Sequence, residues 1–162
     1  MQIGSLVRRA ALYYGEAVCL TQNGRSISFK DFDRLTDVVG NALIGRGLIP
    51  GDRVGVLLPN GIECLVAYYA LAKAGLVRVA MNSRETLQNH QYKLQDSGCR
   101  AVIHDDVIGL HTEITIGFDD FKEMLNGDDD EPCAIDRGLD EPLRLGYTGG
   151  TTGNPKAVTL TI

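Results

Sequence analysis

Residues 53–58 (RVGVLL), closed by Pro59, restrict what this chain can fold into more than any other segment. An unbroken run of β-forming apolar residues suits a strand covered on both faces, as in a parallel sheet. The rhythm then repeats. Residues 61–74 carry Leu65, Tyr68, Tyr69 and Ala72 at helical spacing and stop at Gly75. Residues 77–81 form a second strand. Residues 86–97 form a second helix, with Leu87, Tyr92 and Leu94 as its apolar contacts and Gly98 as its stop. Residues 101–104 are a third short strand. Strand, helix, strand, helix, strand with short links predicts an α/β fold: a doubly wound, mostly parallel sheet with flanking helices and right-handed crossovers.

The flanks add to this 53–104 βαβαβ core. Residues 5–14 read as a helix capped by Ser5. Asn23-Gly24 is a hairpin turn between two short alternating runs, so 17–29 reads as a hairpin. Residues 30–43 place Phe32, Leu35, Val39, Ala42 and Leu43 on one helical face. Downstream, 118–125 reads as one short helix and 126–132 (NGDDDEP) as an acidic, solvated loop. That loop lacks the glycine and the later glutamate of a calcium-binding EF-hand loop. Residues 143–147 and 158–162 read as two more strands.

Composition narrows the function classes. With 44% hydrophobic and 23% charged residues, 162 residues suffice for one globular unit with a real core. A net charge of -5 argues against nucleic acid as a partner, since such binders present a basic surface. Cys19, Cys64, Cys99 and Cys133 are too scattered for a zinc or redox pair and read as small apolar residues. The opening residues lack the apolar run of a secretory signal, and no segment reaches the ~18 apolar residues of a membrane span. A cytoplasmic location is the expectation. His90, His104 and His111 share no metal-ligand spacing, Glu63 reads as a first-turn partner of a helix dipole, and Tyr68 and Tyr69 read as core.

The residues that carry chemistry lie between the last two strands: Tyr147-Thr148-Gly149-Gly150-Thr151-Thr152-Gly153-Asn154-Pro155-Lys156. Glycines let the backbone take positive φ and let a ligand approach the main chain, so that successive N–H groups converge on an anion. Thr148, Thr151 and Thr152 add hydroxyl donors, and Lys156 adds a cation at the rim. The frame is neither GxxxxGK[ST] nor GxGxxG. Taken by itself, the cluster also fits a Gly/Thr-rich β-hairpin with a solvated lysine.

The string resembles the phosphate-binding signature Y-T-[SG]-G-T-T-G-x-P-K-G of the adenylate-forming superfamily: acyl-CoA synthetases, peptide-synthetase adenylation domains and luciferases. Only Ala157 departs from it, standing where the final glycine would be. Upstream, residues 28–32 (SFKDF), 51–54 (GDRV), 58–60 (LPN), 70–75 (ALAKAG) and 94–99 (LQDSGC) are similar to further family segments. Residues 82–84 (NSR) match too, with Ser83 in place of the usual proline.

This resemblance implies that residues 1–162 open the large N-terminal domain of an acyl-CoA synthetase. Such an enzyme uses ATP with Mg²⁺ to turn a carboxylic acid into an acyl-adenylate and then passes the acyl group to CoA. Carried over, Thr148, Gly149, Gly150, Thr151, Thr152, Gly153 and Lys156 cradle the ATP phosphates. The nucleoside contacts, the Mg²⁺-associated acid, the acyl pocket and the mobile C-terminal domain are expected beyond Ile162, so the chain alone is expected to be inactive. A cut sheet edge would favour a homodimer. The alternative is a naturally short, non-catalytic module that binds a phosphate ligand or a partner chain.

Overall fold

The structure, a computed structural model, describes residues 3–105, 107, 109–138, 140–148 and 155–161. Local chemistry starts the chain off. Helix α1 (Ile3–Tyr14) leads into a hairpin of β1 (Val18–Gln22) and β2 (Arg25–Ser28). Asn23 and Gly24 join the strands with φ of 50° and 80°. Positive φ at both turn residues matches the twist of the flanking strands. Ser28 ends β2 and also caps α2 (Phe29–Gly45). Its hydroxyl accepts from the Asp31 N–H at 3.0 Å, while Asp31 accepts from the Ser28 N–H at 3.2 Å. This reciprocal capping box is worth about 1 kcal/mol. The donated hydrogen bonds from Ser28 hold the Asp31 carboxyl below its ordinary range. Ser5, expected as a cap, lies inside α1, because the helix already begins at Ile3.

The remaining elements are β3 (Arg53–Leu57), α3 (Ile62–Lys73), β4 (Val77–Ala80), α4 (Leu87–Asp96), β5 (Ala101–His104), β6 (Ile114–Ile116), α5 (Phe118–Leu125), β7 (Pro142–Thr148) and β8 (Lys156–Thr161). They form a six-stranded sheet in the order β6-β5-β3-β4-β7-β8. Every pair is parallel except β7–β8. The fold is therefore mixed α/β with a mostly parallel sheet, as the strand–helix rhythm implied. Strand β6 had no counterpart in the sequence reading; three residues are too few to show a period.

Both faces of β3 are covered, which explains its unbroken apolar run. Val54 and Val56 pack with Ala101 and Ile103 against α2, α3 and α5. Leu57 and Val102 face the other way and pack against Leu94 of α4. Helix α4 comes close to the sheet at Gly55, where a Cβ would lie 2.5 Å from Leu94 and 2.9 Å from the Met81 sulfur. Of the contacts expected for α4, Leu94 is buried, but Leu87 is 43% exposed. His90 and Lys93 take the buried positions instead.

A caged lysine locks the helical layer. Lys73 is only 2% exposed, yet its ammonium contacts Asp33 at 2.6 Å and Asp37 at 2.8 Å. Arg8 of α1 reaches Asp37 at 2.9 Å from the other side. The Cys133 N–H donates to Asp37 at 3.0 Å, and the Ile135 N–H donates to the Lys73 carbonyl at 2.9 Å. Removing one partner of such a buried network strands the other charges and costs about 3–5 kcal/mol. Lys73→Met is expected to lower the unfolding free energy by about that amount, read as the shift of the urea midpoint at constant m-value.

Candidate phosphate-binding site

Strand β7 runs parallel to β4, with Arg78 opposite Arg144 and Val79 opposite Leu145. Its C-terminal end therefore lies on the same edge of the sheet as the C-terminal ends of β3, β4 and β5. Ligands of open α/β sheets bind outside that edge. Strand β8 pairs antiparallel with β7 at the outer edge of the sheet.

Thr148 and Lys156 are the last register pair of the β7–β8 ladder. The Thr148 hydroxyl lies 3.4 Å from the Lys156 carbonyl, and both residues are exposed. The structure thus brings these two expected cradle residues together at the rim. Gly149, Gly150, Thr151, Thr152 and Gly153 lie outside the described residues. Ala157 sits in the ladder opposite Tyr147. Successive strand side chains point to opposite faces, so its methyl projects away from the Lys156 side chain.

Helix α4 supports the hairpin with residues the sequence reading left out or assigned elsewhere. The Tyr147 hydroxyl donates to Asp96 at 2.8 Å. The Tyr92 hydroxyl lies 3.4 Å from the Pro155 carbonyl. Lys93, 2% exposed, places its ammonium 5.3 Å from the Tyr147 ring centroid and is held by both Glu85 oxygens at 2.6 and 2.5 Å. Burial, followed by the Asp96 carboxylate, pushes the Tyr147 phenol well above its ordinary range. It stays a neutral donor.

The other polar candidates have local roles. Glu63, in the first turn of α3, also pairs with Arg25 of β2 at 2.7 Å. Tyr69 packs edge-on against Phe32, and Tyr68 lies under the Arg78 guanidinium at 3.8 Å. His104 accepts from the Val107 N–H at 3.0 Å. Among the described residues no group of three or more His, Cys, Asp or Glu is placed to hold a metal ion. No helix among them is long and apolar enough to cross a membrane. The four cysteines are all free thiols.

His90 is 3% exposed, with Nε2 3.1 Å from the Glu85 carbonyl and Nδ1 without a partner. Burial lowers its pKa below the ordinary value. The unfolded chain therefore takes up this proton first as pH falls, so folding stability declines from about pH 6.5 downwards and recovers as pH rises. His90→Gln is expected to flatten that slope in unfolding free energies measured from about pH 5 to about pH 7.5, a range that spans the ordinary histidine pKa.

Known proteins share this arrangement. The family model described as AMP-binding enzyme matches residues 7–162. The chain is 32% identical over 165 residues to the feruloyl-CoA synthase of an Amycolatopsis species, covering 98% of this chain and 33% of that protein. It is 32% identical over 145 residues to the long-chain-fatty-acid–CoA ligase FadD13 of Mycobacterium tuberculosis, covering 82% of this chain and 29% of that protein. The inhibitor-bound N-terminal domain of FACL13 from Mycobacterium tuberculosis superimposes with a TM-score of 0.91 at 27% identity, covering 99% of this chain and 44% of that one. The chain spans about a third of the length of the curated relatives it matches. With Tyr147, Thr148 and Lys156 at the sheet's C-terminal edge and the family model matched over nearly the whole chain, this protein belongs to the AMP-binding enzyme family.

Proposed function

We propose that residues 1–162 are the opening part of the large N-terminal domain of an acyl-CoA synthetase, and that the 147–156 hairpin holds the β- and γ-phosphates of ATP. The observation that carries this reading is the Thr148–Lys156 pair at the tip of a hairpin on the C-terminal sheet edge. The described part of the site fits a polyphosphate: Thr148 and Lys156 are both exposed, and the nearby Asp96 carboxylate is already engaged by the Tyr147 hydroxyl.

In the proposed reaction a carboxylate oxygen attacks the α-phosphorus of ATP and the bond to the β-phosphate bridge breaks, releasing pyrophosphate. The CoA thiol then attacks the acyl carbon and AMP leaves. Lys156 and Thr148, with Gly149, Gly150, Thr151, Thr152 and Gly153 between them, meet the charge that develops on the departing pyrophosphate. Mg²⁺ would be carried by the phosphates. The acid is a carboxylic acid of unassigned class, and CoA has no assigned contact among the described residues. A cytoplasmic location belongs to the same reading.

The longer polypeptide is expected to catalyse acid-dependent exchange of pyrophosphate into ATP. Lys156→Ala should slow it by about 2–4 kcal/mol, roughly 30- to 900-fold, with melting unchanged. The 162-residue chain alone should show no exchange, because proximity and orientation supply about 7–11 kcal/mol that a phosphate loop cannot replace. Unchanged kinetics in Lys156→Ala would remove this residue from the site.

The same reading extends to the outer sheet edge. Every residue of β8 is exposed, and a groove of about 420 Å³ opens beside it, lined by Leu65, Tyr68, Arg78, Leu143 and Leu160. An open edge and apolar groove favour association. In isolation the chain is expected to form a two-fold dimer through this surface, seen as a concentration-dependent rise in mass by light scattering.

A further inference from the structure

We propose that Asp96 is a positioning residue that clasps both ends of the phosphate loop through two tyrosines and thereby sets affinity for polyphosphate. Asp96 is the last residue of α4. Its Oδ2 accepts from the Tyr147 hydroxyl at 2.8 Å, and its Oδ1 lies 3.4 Å from the Tyr92 hydroxyl. That same Tyr92 hydroxyl is 3.4 Å from the Pro155 carbonyl. Tyr147 immediately precedes Thr148, and Pro155 immediately precedes Lys156. One carboxylate therefore reaches the entry of the loop directly and its exit through Tyr92.

The chemistry of each member suits this task. Tyr92 and Asp96 stand four residues apart, so one helical turn brings their side chains together. Pro155 has no N–H, so its carbonyl is the one backbone hydrogen-bonding group it can offer. Tyr92 has a single hydroxyl proton, shared between Asp96 and Pro155, so the exit is held more softly than the entry. Lys93, buried and fixed by Glu85, backs the Tyr147 ring with its ammonium 5.3 Å from the ring centroid. Donors held in place before the ligand arrives lose less conformational freedom on binding, and that difference appears as affinity.

The kinetic consequence rests on the proposed adenylation activity; the structural one does not. In the 162-residue chain, Asp96→Ala is expected to speed amide hydrogen exchange at Tyr147, Thr148, Lys156 and Ala157 at least tenfold, while β3 and β5 keep their protection. Tyr92→Phe, which removes one hydroxyl and no packing, should speed exchange at Lys156 and Ala157 alone. Asp96→Asn, which keeps one acceptor oxygen, should restore part of the protection. In the longer polypeptide, Asp96→Ala should raise the KM for MgATP about 5- to 20-fold, with kcat and the KM for the acid within threefold of wild type. Unchanged exchange at all four amides in Asp96→Ala overturns the clasp whether or not the polypeptide makes acyl-adenylate. An active wild type whose KM for MgATP is untouched by Asp96→Ala overturns it too. A wild type inactive towards every acid refutes adenylation, and the amide measurements then decide the clasp by themselves.

Discussion

The helical layer of this domain is organised around an ammonium group almost sealed from water. Lys73, 2% exposed, sits between Asp33 and Asp37, with Arg8 closing the cluster from α1. Three helices and residues 133–135 meet there, because the cluster also draws in the Cys133 N–H and the Lys73 carbonyl binds the Ile135 N–H. Burying an ammonium is tolerable only when its desolvation is offset by opposite charges and directed acceptors. The network therefore demands one mutual placement of α1, α2 and α3. Close backbone contacts accompany it: a Cβ at Gly4 would lie 3.0 Å from Lys73 Cγ, and one at Gly40 would lie 2.7 Å from the Cys133 sulfur.

With that layer fixed on one face, the sheet needs a cover on the other, and α4 supplies it. Gly55 lets Leu94 settle directly onto β3, and the other side of α4 then meets the β7–β8 hairpin. Helix α4 thus joins the central strands to the β7–β8 hairpin. It packs on the central strands through Leu94 and braces the loop stem through Tyr92, Lys93 and Asp96. A polar helix with few apolar residues is well suited to this, since its contacts with the hairpin are hydrogen bonds and a cation over a ring.

The position of the Thr148–Lys156 pair follows from the strand directions. Parallel pairing of β4 with β7 sets the end of β7 on the carboxyl edge of the sheet, and the antiparallel return of β8 places Lys156 opposite Thr148. The paired ends of β7 and β8 take their stiffness from their ladder and from α4, which Tyr147 and Pro155 contact.

Periodicity and turn chemistry alone determined the 53–104 alternation, the Asn23-Gly24 hairpin and the string 147–156, because those signals are local and each residue type serves its own backbone. Ser28 and Asp31 were also readable in principle, since a capping box spans three residues. Tertiary structure alone decided that β5 returns to the far side of β3, that β6 adds an edge, and that β7 pairs beside β4. It alone made Lys73 and Lys93 buried pivots. A lysine near a helix end reads as a solvated charge until carboxylates from Asp33 and Asp37, or from Glu85, are folded around it. Likewise Asp96 came to hold the end of β7 only when folding brought Tyr147, 51 residues away, within 2.8 Å of it. Contacts between residues that far apart leave no periodic trace in the chain, because only packing brings them together.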